Sequence, residues 1–214
     1  SVLADNGHKV CLWARKEEVA HEINTHHTNS KYLKDVTLSK AIVASSSLEE
    51  VLSGKDAVVL VVPSQAFRDV VTRAKSWIQP DTLVIHATKG FEVNTWKRMS
   101  EILCEELGSL RKMVVLSGPS HAEEVIRKCP TTVVVASPSQ EAAEHAQTLF
   151  MNSYFRVYTN PDWIGVEVGG ALKNIIALAA GLCDGLGFGD NARAALLTRG
   201  LAEISRLGVK MGAQ

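Results

Sequence analysis

Apolar residues in this chain come in short unbroken runs set between turn residues. Residues 56–62 (Asp-Ala-Val-Val-Leu-Val-Val) are rich in branched side chains and show no alternation. That is the pattern of a central parallel strand covered on both faces. Similar runs at 9–14, 82–86, 113–116, 131–136 and 155–158 predict further strands. Between them the apolar spacing becomes helical, at 17–24, 96–107, 122–126 and 140–151. Another helix opens at Pro63-Ser64, with Ser64 as its cap and Phe67, Val70, Val71 and Ala74 on its inner face. Strands alternating with helices at this spacing imply βαβ units. The predicted fold class is therefore α/β, a Rossmann-like doubly wound, mostly parallel sheet. The alternation stops near Asn160-Pro161-Asp162, and only helices follow, at 166–185 and 191–207. We expect an α/β domain over 1–161 and the start of an all-helical domain over 162–214.

The helix after this boundary has apolar or small residues on every side, as a buried helix does. Lys173 and Asn174 sit in its middle. A lysine is rarely buried without a partner. Two readings stand: a substrate faces the helix, or Lys173 snorkels to the surface along its aliphatic stem.

Open α/β sheets bind ligands beyond the carboxyl ends of their strands. Three such ends carry suggestive residues. Arg15 follows the first strand, where an acidic residue would suit the ribose of NAD; a guanidinium suits a 2′-phosphate, which favours NADP over NAD. Phe67, after the strand at 56–62, could lie against an adenine or nicotinamide, or simply pack in the core. Lys89 stands in Ala87-Thr88-Lys89-Gly90, placed to meet an anion. Gly118 and Ser120, after the strand at 113–116, suit close ligand approach and phosphate binding at a helix start. Ser120 with Glu123 also fits a capping box. The glycine-rich stretch 184–191 has no strand before it and no Lys-Ser/Thr after it, so it is not a P-loop. It reads as a connection with Asp190 or Asn191 capping the next helix.

Composition narrows the function. Lys and Arg (23) balance Asp and Glu (23), so no net field favours nucleic acid or an anionic membrane. The polar residues and glycines of 166–186 argue against a membrane span. Cys11, Cys104, Cys129 and Cys183 are scattered without a Cys-x-x-Cys pair, which reads as reduced thiols of a cytoplasmic protein. His26-His27 lies in a polar stretch read as a loop, and no metal site is expected. Both ends look cut. Residues 1–7 read as the last turns of a helix closed by Gly7, and the far end stops just after a helix. We expect an internal piece of a longer protein, unstable and inactive alone, with a Gly-x-Gly-x-x-Gly loop and the first strand upstream of Ser1.

Several segments together resemble one family. They are Val61-Val62-Pro63-Ser64, Ala87-Thr88-Lys89-Gly90, Ser117-Gly118-Pro119-Ser120, the run from Phe155 to Asp162, Gly169-Gly170-Ala171-Leu172-Lys173-Asn174, Asp184-Gly-Leu-Gly-Phe-Gly189 and the run from Asn191 to Gly200. In order along the chain, they are similar to the NAD(P)-dependent glycerol-3-phosphate dehydrogenases of the bacterial biosynthetic type. The resemblance implies interconversion of sn-glycerol 3-phosphate and dihydroxyacetone phosphate, supplying phospholipid synthesis. It implies Lys173 as the proton donor and acceptor. It implies Lys89, Gly118, Ser120, Lys173 and Asn174 on the substrate, with Arg15, Lys89 and Ala122 on the cofactor. It also implies a homodimer. The family's later phosphate-clamp motif is absent from these residues. Two alternatives remain: another oxidoreductase of the 6-phosphogluconate and β-hydroxyacid dehydrogenase-like group, or a non-catalytic dinucleotide-binding protein.

Overall fold

A computed structural model describes residues 1–108 and 112–214. Helix α1 (Val2–Asp5) ends as expected: Gly7, at φ +84°, lets Gly7 N–H bond Ala4 O and His8 N–H bond Leu3 O. These two bonds form a Schellman close, which glycine makes without strain. Then follow β1 (Val10–Trp13), α2 (Glu17–His26), β2 (Ile42–Ser45), α3 (Leu48–Leu52), β3 (Ala57–Leu60), α4 (Ser64–Ala74) and β4 (Leu83–His86). The second half runs α5 (Met99–Leu107), β5 (Met113–Ser117), α6 (Ala122–Ile126), β6 (Thr131–Ala136), α7 (Gln140–Phe150), β7 (Phe155–Asn160), α8 (Trp163–Gly185) and α9 (Gly189–Lys210).

The strands form two ladders. β1 pairs with β2, and β3-β4-β5-β6-β7 lie side by side. Every pair is parallel except β5 with β6. Among the described residues β1 bonds only to β2 and β3 only to β4, so each keeps one open edge. The five-stranded sheet is covered on both faces, because successive strand residues point to opposite sides. Leu83 and Ile85 join Val114, Val133, Val135 and Val157 beneath α7. Val84 joins Leu60 and Met113 beneath Phe67, Val71, Met99, Ile102 and Leu103 of α4 and α5. This is the doubly wound, mostly parallel α/β arrangement that the strand-helix alternation predicts.

Several local expectations need correction. β2 and α3 were not foreseen: four and five residues are too short to show a period, and α3 is started by Ser47 accepting from Glu50 N–H. Ser64 does not cap α4; Pro63 holds that position and Ser64 is already helical. Ser120 and Glu123 form no capping box, since α6 starts behind His121, whose Nδ1 instead meets Glu123 at 2.9 Å. Neither Asp190 nor Asn191 caps α9, which begins behind Phe188. His26 ends α2 and His27 closes it in the left-handed region at φ 54°, so the pair is not a loop.

The largest correction concerns α8. It is not wholly buried. Its buried residues are Glu167, Val168 and Gly170, near its start, whereas Ile175, Leu178, Leu182 and the following Leu186 are each more than half exposed. The cause is a shortage of neighbours: only the first turns of α8 rest on β5 and β6, and beyond them α9 is its chief partner. At 23 residues α8 is also long and apolar enough to cross a membrane by length and composition, contrary to the expectation from its polar residues. Here it is docked on a sheet through a buried carboxylate.

Candidate functional site

The rim above β4 and β5 gathers the chemistry. β4 ends at His86, and the chain turns outward through Ala87 and Thr88, whose hydroxyl donates to Val62 O at 2.7 Å. That bond aims Lys89 across the sheet end, where its Nζ donates to the Gly118 carbonyl at 3.0 Å, just beyond β5. The Ser120 hydroxyl donates to the same carbonyl at 3.3 Å. Gly118 has no alternative residue here. Its φ is +143°, and a β-carbon would lie 2.9 Å from both Thr132 O and Val133 Cα.

Helix α8 delivers the other half. Asp162 caps it, accepting from Gly165 N–H at 2.9 Å. Gly170 then meets the sheet: a β-carbon there would stand 2.5 Å from Ser117 Oγ and 3.8 Å from Lys89 Cγ. Lys173 lies one turn further, on the same face of α8 as Gly170. It is exposed, and its Nζ donates to Asn174 Oδ1 at 2.9 Å. Lys173 is therefore not enclosed by these residues, and its ammonium bears on Lys89. Burial, chiefly, and then the positive charge of Lys173 hold the half-buried Lys89 ammonium below the ordinary lysine range.

Two cations held together at the open end of a sheet, beside a serine hydroxyl and an amide, form a receptor for an anion. Among the described residues no group of three or more acidic, cysteine or histidine side chains could hold a metal ion.

The other predicted residues lie apart from this core. Arg15 is exposed beyond the end of β1, and Ala122 is exposed as the first residue of α6. Phe67 has to be corrected as a cofactor-binding residue. It is 0% exposed and packs edge-on against His86 with ring centroids 6.0 Å apart, leaving no face for a ligand.

Sequence reasoning missed a second polar cluster behind the lysines. Glu167, 4% exposed, accepts from Ser100 N–H at 2.9 Å, Ser100 Oγ at 2.6 Å and Arg98 Nη1 at 3.0 Å. Arg98 also donates to Ser100 Oγ at 2.8 Å and lies 4.8 Å over the Trp163 ring. His86 Nε2 approaches Glu167 Oε1 at 3.4 Å, and burial, the dominant cause, pushes the imidazole pKa down. The available signal was the one used for Lys173: a lone charge in an apolar helix.

Comparisons with known proteins bear on this geometry. Residues 1–143 match the family model described as NAD-dependent glycerol-3-phosphate dehydrogenase N-terminus, and residues 162–214 match the corresponding C-terminus. A curated relative from Bacillus thuringiensis (strain Al Hakam), glycerol-3-phosphate dehydrogenase (NAD(P)+), is 60% identical over 213 residues. That match covers 99% of this chain but 63% of the relative, so the chain spans less than two thirds of its length. The crystal structure of glycerol-3-phosphate dehydrogenase from Coxiella burnetii superposes with a TM-score of 0.92 at 39% identity, over 100% of this chain and 65% of that one. A ketopantoate reductase of the PanE/ApbA family from Ralstonia eutropha JMP134 shares only the fold, with a TM-score of 0.67 at 17% identity over 100% of this chain and 70% of that one.

Proposed function

Because the chain belongs to the NAD-dependent glycerol-3-phosphate dehydrogenase family, we propose that the full-length protein interconverts sn-glycerol 3-phosphate and dihydroxyacetone phosphate with NAD(P)(H). The single observation that carries this reading is the convergence of Lys89 and Lys173 at the rim of β4 and β5. A phosphorylated ketone brings the negative charge that such a pair requires. Unphosphorylated keto or hydroxy acids of the wider dehydrogenase group bring only a carboxylate's single charge, against about −1.5 to −2 on a phosphate.

The residues divide the work as follows. Lys89 draws the substrate phosphate to the strand end, with Ser120 and the bare backbone at Gly118 beside it. Lys173 faces the C2 oxygen and stabilises the negative charge that develops there during reduction. It then transfers a proton to that oxygen, and the amine is reprotonated from solvent between turnovers; oxidation runs the same proton the other way. Asn174 hydrogen-bonds the substrate without adding charge. When bound, the nicotinamide supplies or receives the hydride. The exposed guanidinium of Arg15, beyond the end of β1, fits a 2′-phosphate, which favours NADP, and Ala122 at the start of α6 borders the cofactor.

We assign residues 1–161 to the dinucleotide-binding domain and 162–214 to the start of a helical substrate and dimerisation domain. The exposed apolar stripe of Ile175, Leu178, Leu182 and Leu186 supports burial of this helix in a homodimer and against further chain. Four free thiols suit a cytoplasmic enzyme, and the reductive direction would feed phospholipid synthesis. The test is Lys173→Ala in the full-length protein. Turnover of dihydroxyacetone phosphate should fall by about 10²–10⁴-fold, the range of a lost general acid, while NADPH binding persists. Turnover within a few-fold of wild type, or equal activity on unphosphorylated keto acids, would overturn the reading.

A further inference from the structure

Both lysine-bearing elements meet at one buried point. His86 closes β4, three residues before Lys89. Glu167 lies on α8, three residues before Gly170 and six before Lys173, on a ridge of i, i+3 neighbours that turns Lys173 about 120° around the axis from Glu167. Glu167 reaches His86 at 3.4 Å and takes three hydrogen bonds from Arg98 and Ser100 at the start of α5. Arg98 grips α8 a second time, one turn earlier, through the Trp163 ring. Side chains exposed to solvent by less than a tenth, joined at 2.6–3.0 Å, have little freedom to shift.

We propose that Glu167 is a positioning residue: its carboxylate ties α8 to the start of α5, packed against His86 of β4, so that Lys173 is held facing Lys89. This rests on the proposed dehydrogenase chemistry, in which those two lysines act on one substrate. Glu167 itself touches no reacting atom. An apolar side chain of similar size would fill the space, but would not fix the rotation of α8 about its axis. The three donors, with His86 packed beside them, accept one orientation of the carboxylate only.

The experiment uses the full-length protein, first measuring wild-type reduction of dihydroxyacetone phosphate by NADPH. No turnover there would end the dehydrogenase reading itself, apart from any question about Glu167. Given turnover, Glu167→Gln keeps the shape and removes the charge that orients Arg98. Its kcat should fall by about 10–100-fold, the scale of an ångström-level misplacement, with KM for NADPH within about threefold. The basic limb of kcat/KM should move to higher pH, because a displaced Lys173 repels the Lys89 ammonium less. Loss of folded protein alone would not produce that movement. Ser100→Ala removes the hydroxyl's two hydrogen bonds, to Glu167 and from Arg98, but keeps the Arg98–Glu167 charge pair; it is the milder check, expected to lower kcat by about 3–10-fold with the same direction of limb shift. It decides alone if Glu167→Gln does not accumulate. A folded Glu167→Gln, or Ser100→Ala, with kcat within twofold of wild type and an unmoved limb would overturn the proposal.

Discussion

Gly170 on α8 rests directly against Ser117 at the end of β5, so close that a β-carbon on the glycine would stand 2.5 Å from the serine hydroxyl. This contact sets how near the Lys173 turn comes to Lys89. Gly170→Ala should therefore push the helix off the rim. In the full-length protein we expect kcat to fall at least tenfold while the melting temperature drops by only a few degrees, because the displacement opens one contact near the start of α8 and leaves the sheet core packed. Equal proportional loss of folded protein and activity would argue against this role for the contact.

Gly118 is a different case, since its obstacles are backbone atoms. A methyl group there would meet Thr132 O and Val133 Cα at 2.9 Å, in a backbone conformation with φ +143°. Gly118→Ala should destabilise the fold by about 2–4 kcal/mol, combining strain with overpacking. Urea unfolding of the two proteins measures this directly.

Lys89 carries a stability cost with its function. Burial and Lys173 hold its ammonium below the ordinary lysine range. The folded state therefore takes up this proton less readily than the unfolded chain, whose lysine titrates near about 10.4. The penalty is present at neutral pH and fades as pH rises through that value. Lys89→Gln should raise the melting temperature at pH 7, with a difference from wild type that shrinks toward pH 10.5, and should abolish turnover. A variant less stable than wild type at pH 7 would contradict the assignment.

Arg68 of α4 gathers three carboxylates: Glu92 at 2.6 Å and Glu105 and Glu106, each at 2.8 Å. Hydrogen bonds from Arg68, first, and from Thr95 lower the Glu92 carboxyl to about 2. Stability from this cluster is fully present above the unfolded value near 4.3 and is lost as pH falls toward 2. Arg68→Ala should lower the melting temperature at pH 7 and hardly at all near pH 2. High salt should weaken the effect at pH 7, because the cluster is partly exposed.

Arg15 offers a specificity test. Arg15→Glu should raise KM for NADPH at least tenfold more than KM for NADH, since a carboxylate repels a 2′-phosphate and accepts from a ribose hydroxyl. Parallel steady-state assays with the two cofactors would show it. An equal change for both would remove Arg15 from the cofactor site.

Much of this architecture was legible beforehand, for reasons specific to each segment. The strands at 83–86 and 113–117 bury every residue, and an unbroken branched run of that kind has no stable home except a sheet covered on both faces. Phe67, Val70, Val71 and Ala74 recur at helical spacing, and all four are buried on the inner face of α4. The chain also determines Gly7 as a helix stop and Lys89 as the cation at a strand end, because turn geometry and strand polarity are local matters.

Which polar residue of α8 faces inward was not a local matter. Pattern alone made Lys173 the buried oddity, yet it is exposed and Glu167 is the buried charge. An apolar helix is equally greasy on all sides, so its inner face is chosen by whatever packs against it. Here those partners are Ser117, His86, Arg98 and Ser100, between 50 and 81 residues away in the chain. The same holds for Phe67, whose period announced burial but not that His86 would occupy its edge. Periodicity determined the elements; only long-range packing decided which charges share a surface and which are locked beneath it.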